Sequence, residues 1–279
     1  MKKIAAITMA RNDDFFVEKW INYYSEQFGR ENIFVFLDGK DQTLPSNVEK
    51  ANVIIRDHTA QSRAVGDKSR IQFLSQFAKQ LFEEKKYDLV IGTDCDEFLV
   101  VDPECNQSLS EYLSNLKIST STAALGMDVG QNLNTEKELD FNFPVLSQRN
   151  YAVISPRYTK SVVISKPVTW GSGFHRIKNH NFHIDKNLYL FHLGYCDLKM
   201  LQQKSNGDRL KSGWDKHLKR RSKTITLISK SKMQGGENQI CTARKIQTFL
   251  RPIYAWNKPS MGCWKLVVAL PEKFKQISI

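Results

Sequence analysis

Over the first hundred positions, short apolar runs that end in polar residues alternate with longer stretches whose apolar positions recur every three to four residues. Ile4 to Thr8, Ile33 to Leu37, Val53 to Ile55 and Leu89 to Ile91 have the length and β-branched content of buried strands. Between the first two, Phe16, Val17, Trp20, Ile21, Tyr24 and Phe28 fall at helical spacing. Arg11-Asn12-Asp13-Asp14 supplies N-cap residues before this stripe, and Gly29 suits its C-terminal cap. Gly66-Asp67-Lys68-Ser69-Arg70 opens a second helix that turns Ile71, Leu74, Phe77, Ala78, Leu81 and Phe82 inward. The order strand, helix, strand, strand, helix, strand predicts an α/β fold whose sheet is mostly parallel and flanked by helices. Beyond Pro103 the pattern weakens to a short helix over Leu109 to Leu116 and strands at Ala123 to Gly130, Tyr151 to Ile154, Ser161 to Ile164 and Leu188 to Phe191. These read as an antiparallel addition, followed by a helical C-terminal stretch with loops at Asn206-Gly207-Asp208 and Gly235-Gly236.

Composition narrows the class. The 279 residues are 41% hydrophobic, enough for a full core. No apolar run reaches the ~18 to 20 residues that span a bilayer. The start, Met1-Lys2-Lys3, mimics a signal peptide, but its apolar part is short and runs into Arg11-Asn12-Asp13-Asp14, so it reads as a first strand. Five scattered cysteines without a Cys-x-x-Cys pair point to reduced thiols in the cytoplasm and away from a zinc knuckle. The net charge of +12 asks for an anionic partner. Lys216, Lys219, Arg220, Arg221, Lys223, Lys230 and Lys232 form either a solvated helix face or a patch for the anionic inner face of the cytoplasmic membrane. No pattern of stacking aromatics with basic residues marks a nucleic-acid module, so nucleic acid is not an expected partner.

The chemistry concentrates where the Leu89 to Ile91 strand stops. Asp94, Asp96 and Glu97 follow within a few residues, and an unpaired carboxylate in a core costs several kcal/mol, so they must sit where the chain leaves the sheet. Two carboxylates at i and i+2 make a hard oxygen site for Mg²⁺ or Mn²⁺, with phosphate completing the shell. Cys95 points the opposite way and reads as packing. Strand ends also bring Arg11-Asn12 and Asp38 to the same rim. Arg63 and Lys68, at the start of the second helix, are placed either to hold a diphosphate or as solvated charges.

Asp94-Cys95-Asp96-Glu97-Phe98 resembles the DxDEF signature of family-2-like bacterial glycosyltransferases with the GT-A fold. The resemblance is specific over residues 3 to 102 and loose over 120 to 205. It implies a GT-A-like domain over 1–205, with a nucleotide-binding half to about 102 and an acceptor half after it, and a basic extension over 206–279. It further implies a nucleotide-sugar donor, a glycan or lipid-linked acceptor of surface polysaccharide biosynthesis, and donor contacts from Arg11, Asn12 and Asp38. The Lys160, Gly171-Ser172-Gly173-Phe174-His175 and Phe191-His192-Leu193-Gly194-Tyr195 stretches look like the lysine and histidine stretches of that family. They make Lys160 and His175 donor or phosphate contacts and add His192 to Asp94 and Asp96 as metal ligands for Mn²⁺ or Mg²⁺. Asp128 is the candidate base for an acceptor hydroxyl, with Asp185 and Glu237 open. Two other classes remain. A nucleotidyltransferase shares such a sheet, but Ala10-Arg11-Asn12-Asp13 lacks its glycine-rich signature. A non-catalytic polyanion-binding protein would need only the charge.

Overall fold

The computed structural model describes residues 1–58, 62–177, 180, 182–205, 215–232, 235–255 and 265–279, with side chains throughout except at 63, 204–205, 215–221 and 251–255. Strands β1 (Ile4–Ala10), β2 (Ile33–Asp38), β3 (Asn52–Arg56) and β4 (Leu89–Gly92) pair in parallel in the order β3-β2-β1-β4. Every residue of β1 is buried, so the sheet must be covered on both faces. Ile4, Ala6 and Ala10 pack with Phe16, Trp20 and Tyr24 of helix α1 (Asp14–Phe28). Ala5, Ile7 and Met9 pack with Ile71, Leu74, Ala78 and Leu81 of helix α2 (Arg63–Glu83). The alternation is the period-2 side-chain pattern of a strand between two helix layers.

Helix α2 begins three residues before the Gly66 start read from the sequence. Gly66 N donates to Ser62 O at 2.9 Å, so the glycine lies inside the first turn. A Cβ there would meet nothing within 4 Å, and the open surroundings tolerate glycine without requiring it.

The second half extends this core with β5 (Glu97–Val101), α3 (Leu109–Asn115), β6 (Ser121–Val129), β7 (Tyr151–Ile154), β8 (Lys160–Ile164) and β9 (Ile184–His192). Helices α4 (Leu198–Ser205), α5 (Asp215–Lys230) and α6 (Glu237–Ala255) and strand β10 (Leu266–Ala269) follow. A capping box between Ser108 and Glu111 starts α3. Strand β8 joins β4 antiparallel, and β6 joins β8 antiparallel, so β6 runs in the direction of β4. Strand β9 lies parallel to β6, β5 pairs antiparallel with β9, and β7 and β10 extend the other side antiparallel. The molecule is thus a mixed α/β fold with a parallel core between helices and antiparallel strands and helices added after it. Lys160, one residue before the strand expected over Ser161 to Ile164, itself starts β8 and is 1% exposed. Among the described residues no helix is long and apolar enough to cross a membrane.

Candidate functional site

The turn after β4 is held from both helix layers and from the neighbouring strand. Thr8 Oγ1 donates to Thr93 O at 2.9 Å, and the Trp20 indole donates to Thr93 Oγ1 at 2.9 Å. Glu97 N closes the turn on Asp94 O at 3.0 Å. Cys95 is buried in the α1-side core, as its position in the motif predicts. The two aspartates then go separate ways.

Asp94 faces cations. Arg70 Nη1 of α2 reaches its Oδ1 at 2.8 Å, and Lys160 Nζ reaches Oδ2 at 3.0 Å. Burial opposes the charge, but Lys160 and Arg70 outweigh it and hold the carboxyl well below the usual range. Lys160 also lies 2.5 Å from Glu97 Oε1, so one buried ammonium bridges two acids of the motif. Its pKa is raised: burial works against the ammonium, and the Asp94 and Glu97 carboxylates overcome that. Burial pushes Glu97, which is completely enclosed, up to about 7 despite the nearby lysine.

Asp96 faces a histidine. Its Oδ2 lies 3.4 Å from His192 Nε2, and Leu193 N donates to Asp96 O at 2.9 Å. A Cβ on Gly194 would come within 1.9 Å of Asp96 Oδ2, so glycine is required at that position for the carboxylate to lie where it does. His192 sits in one row with Asp128 of β6 and Glu97 of β5, because the registers pair it with both. Residues paired across neighbouring strands share a face, and His192 Nδ1 meets Asp128 Oδ1 at 2.7 Å. Thr224 Oγ1 of α5 donates to the other oxygen, Oδ2, at 2.6 Å. The Tyr158 ring stacks on the imidazole, with centroids 3.9 Å apart. Burial disfavours the imidazolium, yet Asp96 and Asp128 together lift its pKa to about 10.

The other rim residues are also engaged. Arg11 forms two bonds to Asp41, at 2.9 and 2.7 Å, and donates to Asp38 O. Asp38 Oδ2 lies 2.9 Å from His58 Nδ1. Asn12, at φ 51, pairs with Gln42. His175 Nδ1 lies 2.7 Å from Arg157 O, and burial together with the Lys160 charge lowers its pKa well below the ordinary histidine value. Lys68 is exposed on the second turn of α2, and the Arg63 side chain lies outside the described residues. Asp185 accepts from Tyr112 OH at 2.8 Å and stands at the start of β9, ~23 Å of strand from His192 at ~3.3 Å per residue. Glu237 pairs with Lys273 at 2.5 Å.

The structure therefore unites Asp96, His192 and Asp128, and separately Asp94, Lys160, Arg70 and Glu97. Arg70 and Thr224 were not singled out from sequence. Arg70 stands in the quoted helix opening, seven residues after Arg63 and so on the same helix face, a spacing that could have marked it. Thr224 carries no local signal. Among the described residues no three or more His, Cys, Asp or Glu side chains form a metal-holding group. Asp96 and His192 still suit a divalent cation as a pair, because the second imidazole nitrogen is anchored on a carboxylate, as metal-ligating histidines commonly are.

No family model matches the chain, and no curated protein matches it. Among solved structures it is similar to a candidate nucleotide-diphospho-sugar transferase from Desulfovibrio desulfuricans G20, with 13% identity and a TM-score of 0.25 over 46% of this chain and 59% of that one. It is also similar to a glycosyltransferase involved in glycosylation of the major capsid of PBCV-1, with 10% identity and a TM-score of 0.24 over 44% of this chain and 50% of that one. The chain thus spans between half and three fifths of the length of these neighbours.

Proposed function

We propose that this chain transfers a glycosyl group from a nucleotide-sugar donor to a hydroxyl of a glycan or lipid-linked acceptor, with Mn²⁺ or Mg²⁺ held by Asp96 and His192. The observation that carries the reading is the cluster of Asp96, His192 and Asp128 at the carboxyl ends of β4, β6 and β9. That edge is where α/β sheets collect ligands, and here it also carries the cations Arg70 and Lys160.

Each residue then has a task. Asp96 and His192 present an oxygen and a nitrogen to one point, a donor set that Mn²⁺ accepts more readily than Mg²⁺ does. A cation bound there supplies charge neutralisation for a diphosphate leaving group. Asp128 has one oxygen on His192 and the other on Thr224. We assign it to orienting the imidazole and not to taking the acceptor proton. Arg70 and Lys160 fix the Asp94 carboxylate on the same rim, where hydroxyls of the donor's sugars would meet a charged acceptor of hydrogen bonds. Arg11, Asn12 and Asp38 line the neighbouring strand ends for the nucleoside. Surface polysaccharide assembly on the inner face of the cytoplasmic membrane fits the basic charge of the chain.

The test is a panel of nucleotide sugars assayed for Mn²⁺-dependent release of nucleoside diphosphate, with Asp96→Ala alongside. One donor is expected to be hydrolysed by the native protein and spared by a folded Asp96→Ala variant. Equal Mn²⁺-dependent activity in the two proteins would sink the assignment.

A further inference from the structure

Strand β6 has a gap in its row of side chains two residues before Asp128. Positions i and i+2 of a strand share a face, so Gly126 looks out on the same side as the Asp128–His192 pair. A Cβ on Gly126 would come within 2.2 Å of Tyr158 C, 2.4 Å of Thr159 N and 2.7 Å of Ser155 O. All three are backbone atoms, which cannot swing aside as a side chain can. The missing side chain is the seat of the turn that joins β7 to β8. Hydrogen bonds fasten the turn there. Ser155 N donates to Gly126 O at 3.0 Å, and Gly126 N donates to Thr159 Oγ1 at 3.0 Å. Within the turn, Tyr158 N and Thr159 N both donate to Ser155 O, at 3.0 and 3.1 Å.

The seated turn touches the site at three places. Arg157 O meets His175 Nδ1 at 2.7 Å, and Lys160 reaches Asp94 and Glu97. Between them the Tyr158 ring, 2% exposed, lies on the His192 imidazole with centroids 3.9 Å and planes 18° apart. Tyr195 is farther from the imidazole and tilted, at 5.6 Å and 40°. The flat contact supplies what Asp128 does not. A histidine ring turns easily about its Cβ–Cγ bond, where the torsional wells are broad. Asp128 pins one atom of the ring, Nδ1. A parallel ring in van der Waals contact pins the plane, because rotation would drive an edge of the imidazole into Tyr158. Ligands hold a metal tightly when packing locks their rotamers to within about 10–20°.

We infer that Tyr158 is a positioning residue for metal binding. Its ring, carried by the turn seated on Gly126, fixes the plane of His192 so that Nε2 stays turned toward Asp96, the carboxylate with which it would share a divalent cation. The inference rests on the metal-dependent reading above and adds the residue that makes His192 a directed ligand.

Mn²⁺ titration followed by electron paramagnetic resonance, with pulsed detection of imidazole-nitrogen coupling to the bound ion, tests this on native protein, Tyr158→Leu, Tyr158→Phe and Gly126→Ala. Leucine keeps an apolar side chain beside the imidazole and removes the flat face, whereas phenylalanine keeps the face. Tyr158→Leu is expected to bind Mn²⁺ about ten- to a hundredfold more weakly, the cost of losing a residue that orients a ligand. Its bound ion is expected to lose the nitrogen coupling, and Tyr158→Phe to restore both affinity and coupling. Gly126→Ala displaces the turn without altering the ring and is expected to match Tyr158→Leu; it decides the matter should the leucine protein fail to fold. A side chain that served stability alone would lower the unfolding temperature and leave the coupling of the bound ion native. Native affinity and coupling in a folded Tyr158→Leu or Gly126→Ala protein therefore overturn the inference alone, as does a Tyr158→Phe protein that restores neither. Native protein that binds no Mn²⁺, or binds it without nitrogen coupling, overturns the Asp96–His192 metal assignment together with it.

Discussion

At the scale of single residues, the site is a set of charges whose meaning depends on which neighbour each one faces. Asp94 and Asp96 are two positions apart, yet one is neutralised by Arg70 and Lys160 while the other faces His192. Asp128 is the residue whose part in this changes most on seeing its partners. Its contact with His192 Nδ1 fixes the ring orientation that turns Nε2 toward Asp96. Asp128→Asn is therefore expected to leave the protein folded and to weaken Mn²⁺ affinity about ten- to a hundredfold, the usual cost of losing such an outer carboxylate. Titration of Mn²⁺ followed by thermal shift reads this directly. Native Mn²⁺ affinity in a folded Asp128→Asn protein would return Asp128 to the list of candidate bases.

At the scale of elements, α1 and β1 hold the acidic turn in place through Thr93. Its hydroxyl accepts from the fully buried Trp20 indole, and its carbonyl accepts from Thr8. Thr93→Val keeps the shape and strands the indole N–H in the core, which costs about 1–3 kcal/mol. The carboxylates themselves are still positioned by Glu97 N on Asp94 O and Leu193 N on Asp96 O. Chemical denaturation should show the loss of stability, while Mn²⁺ affinity stays as in the native protein. A native denaturation midpoint would mean that the indole finds another partner. Helix α5 shows the same division of labour across its two faces: Thr224 and Ile228 are buried toward the sheet, Ile225 is buried against Leu201 of α4, and Lys223, Leu227 and Lys230 are exposed.

At the scale of the whole molecule, the excess of 41 basic over 29 acidic residues acts through its outer surface. The exposed lysines of α5 contribute to it, while the side chains of Lys216, Lys219, Arg220 and Arg221 lie outside the described residues. A lysine near an anionic bilayer is worth about 1 kcal/mol, and screening removes the attraction over a Debye length. The protein is expected to sediment with phosphatidylglycerol vesicles at low salt and to be released as salt rises. Equal sedimentation with phosphatidylcholine vesicles, or none with either, would leave the charge without a membrane role.

The local pattern along the chain was sufficient for the α/β core and for the address of the site. Runs such as Ile4 to Thr8 and Leu89 to Ile91 are too apolar and too short for anything but buried strands, and the desolvation cost of Asp94 and Asp96 forces them to the strand's end. The shared rim of Asp96 and His192 was also within reach, because each follows an apolar run and both strands run the same way. Partners were not. Thr224 and Asp128 are separated by 96 residues, Lys160 and Asp94 by 66, and Arg70 and Asp94 by 24. Those pairings depend on strand register, on the face a helix turns to the sheet and on Gly194 leaving room for a carboxylate. Periodicity reports which side of an element is buried; only the packed sheet and helices determine which charge stands opposite which, because burial removes water as the alternative partner and leaves the nearest opposite charge or hydrogen-bonding group to replace it.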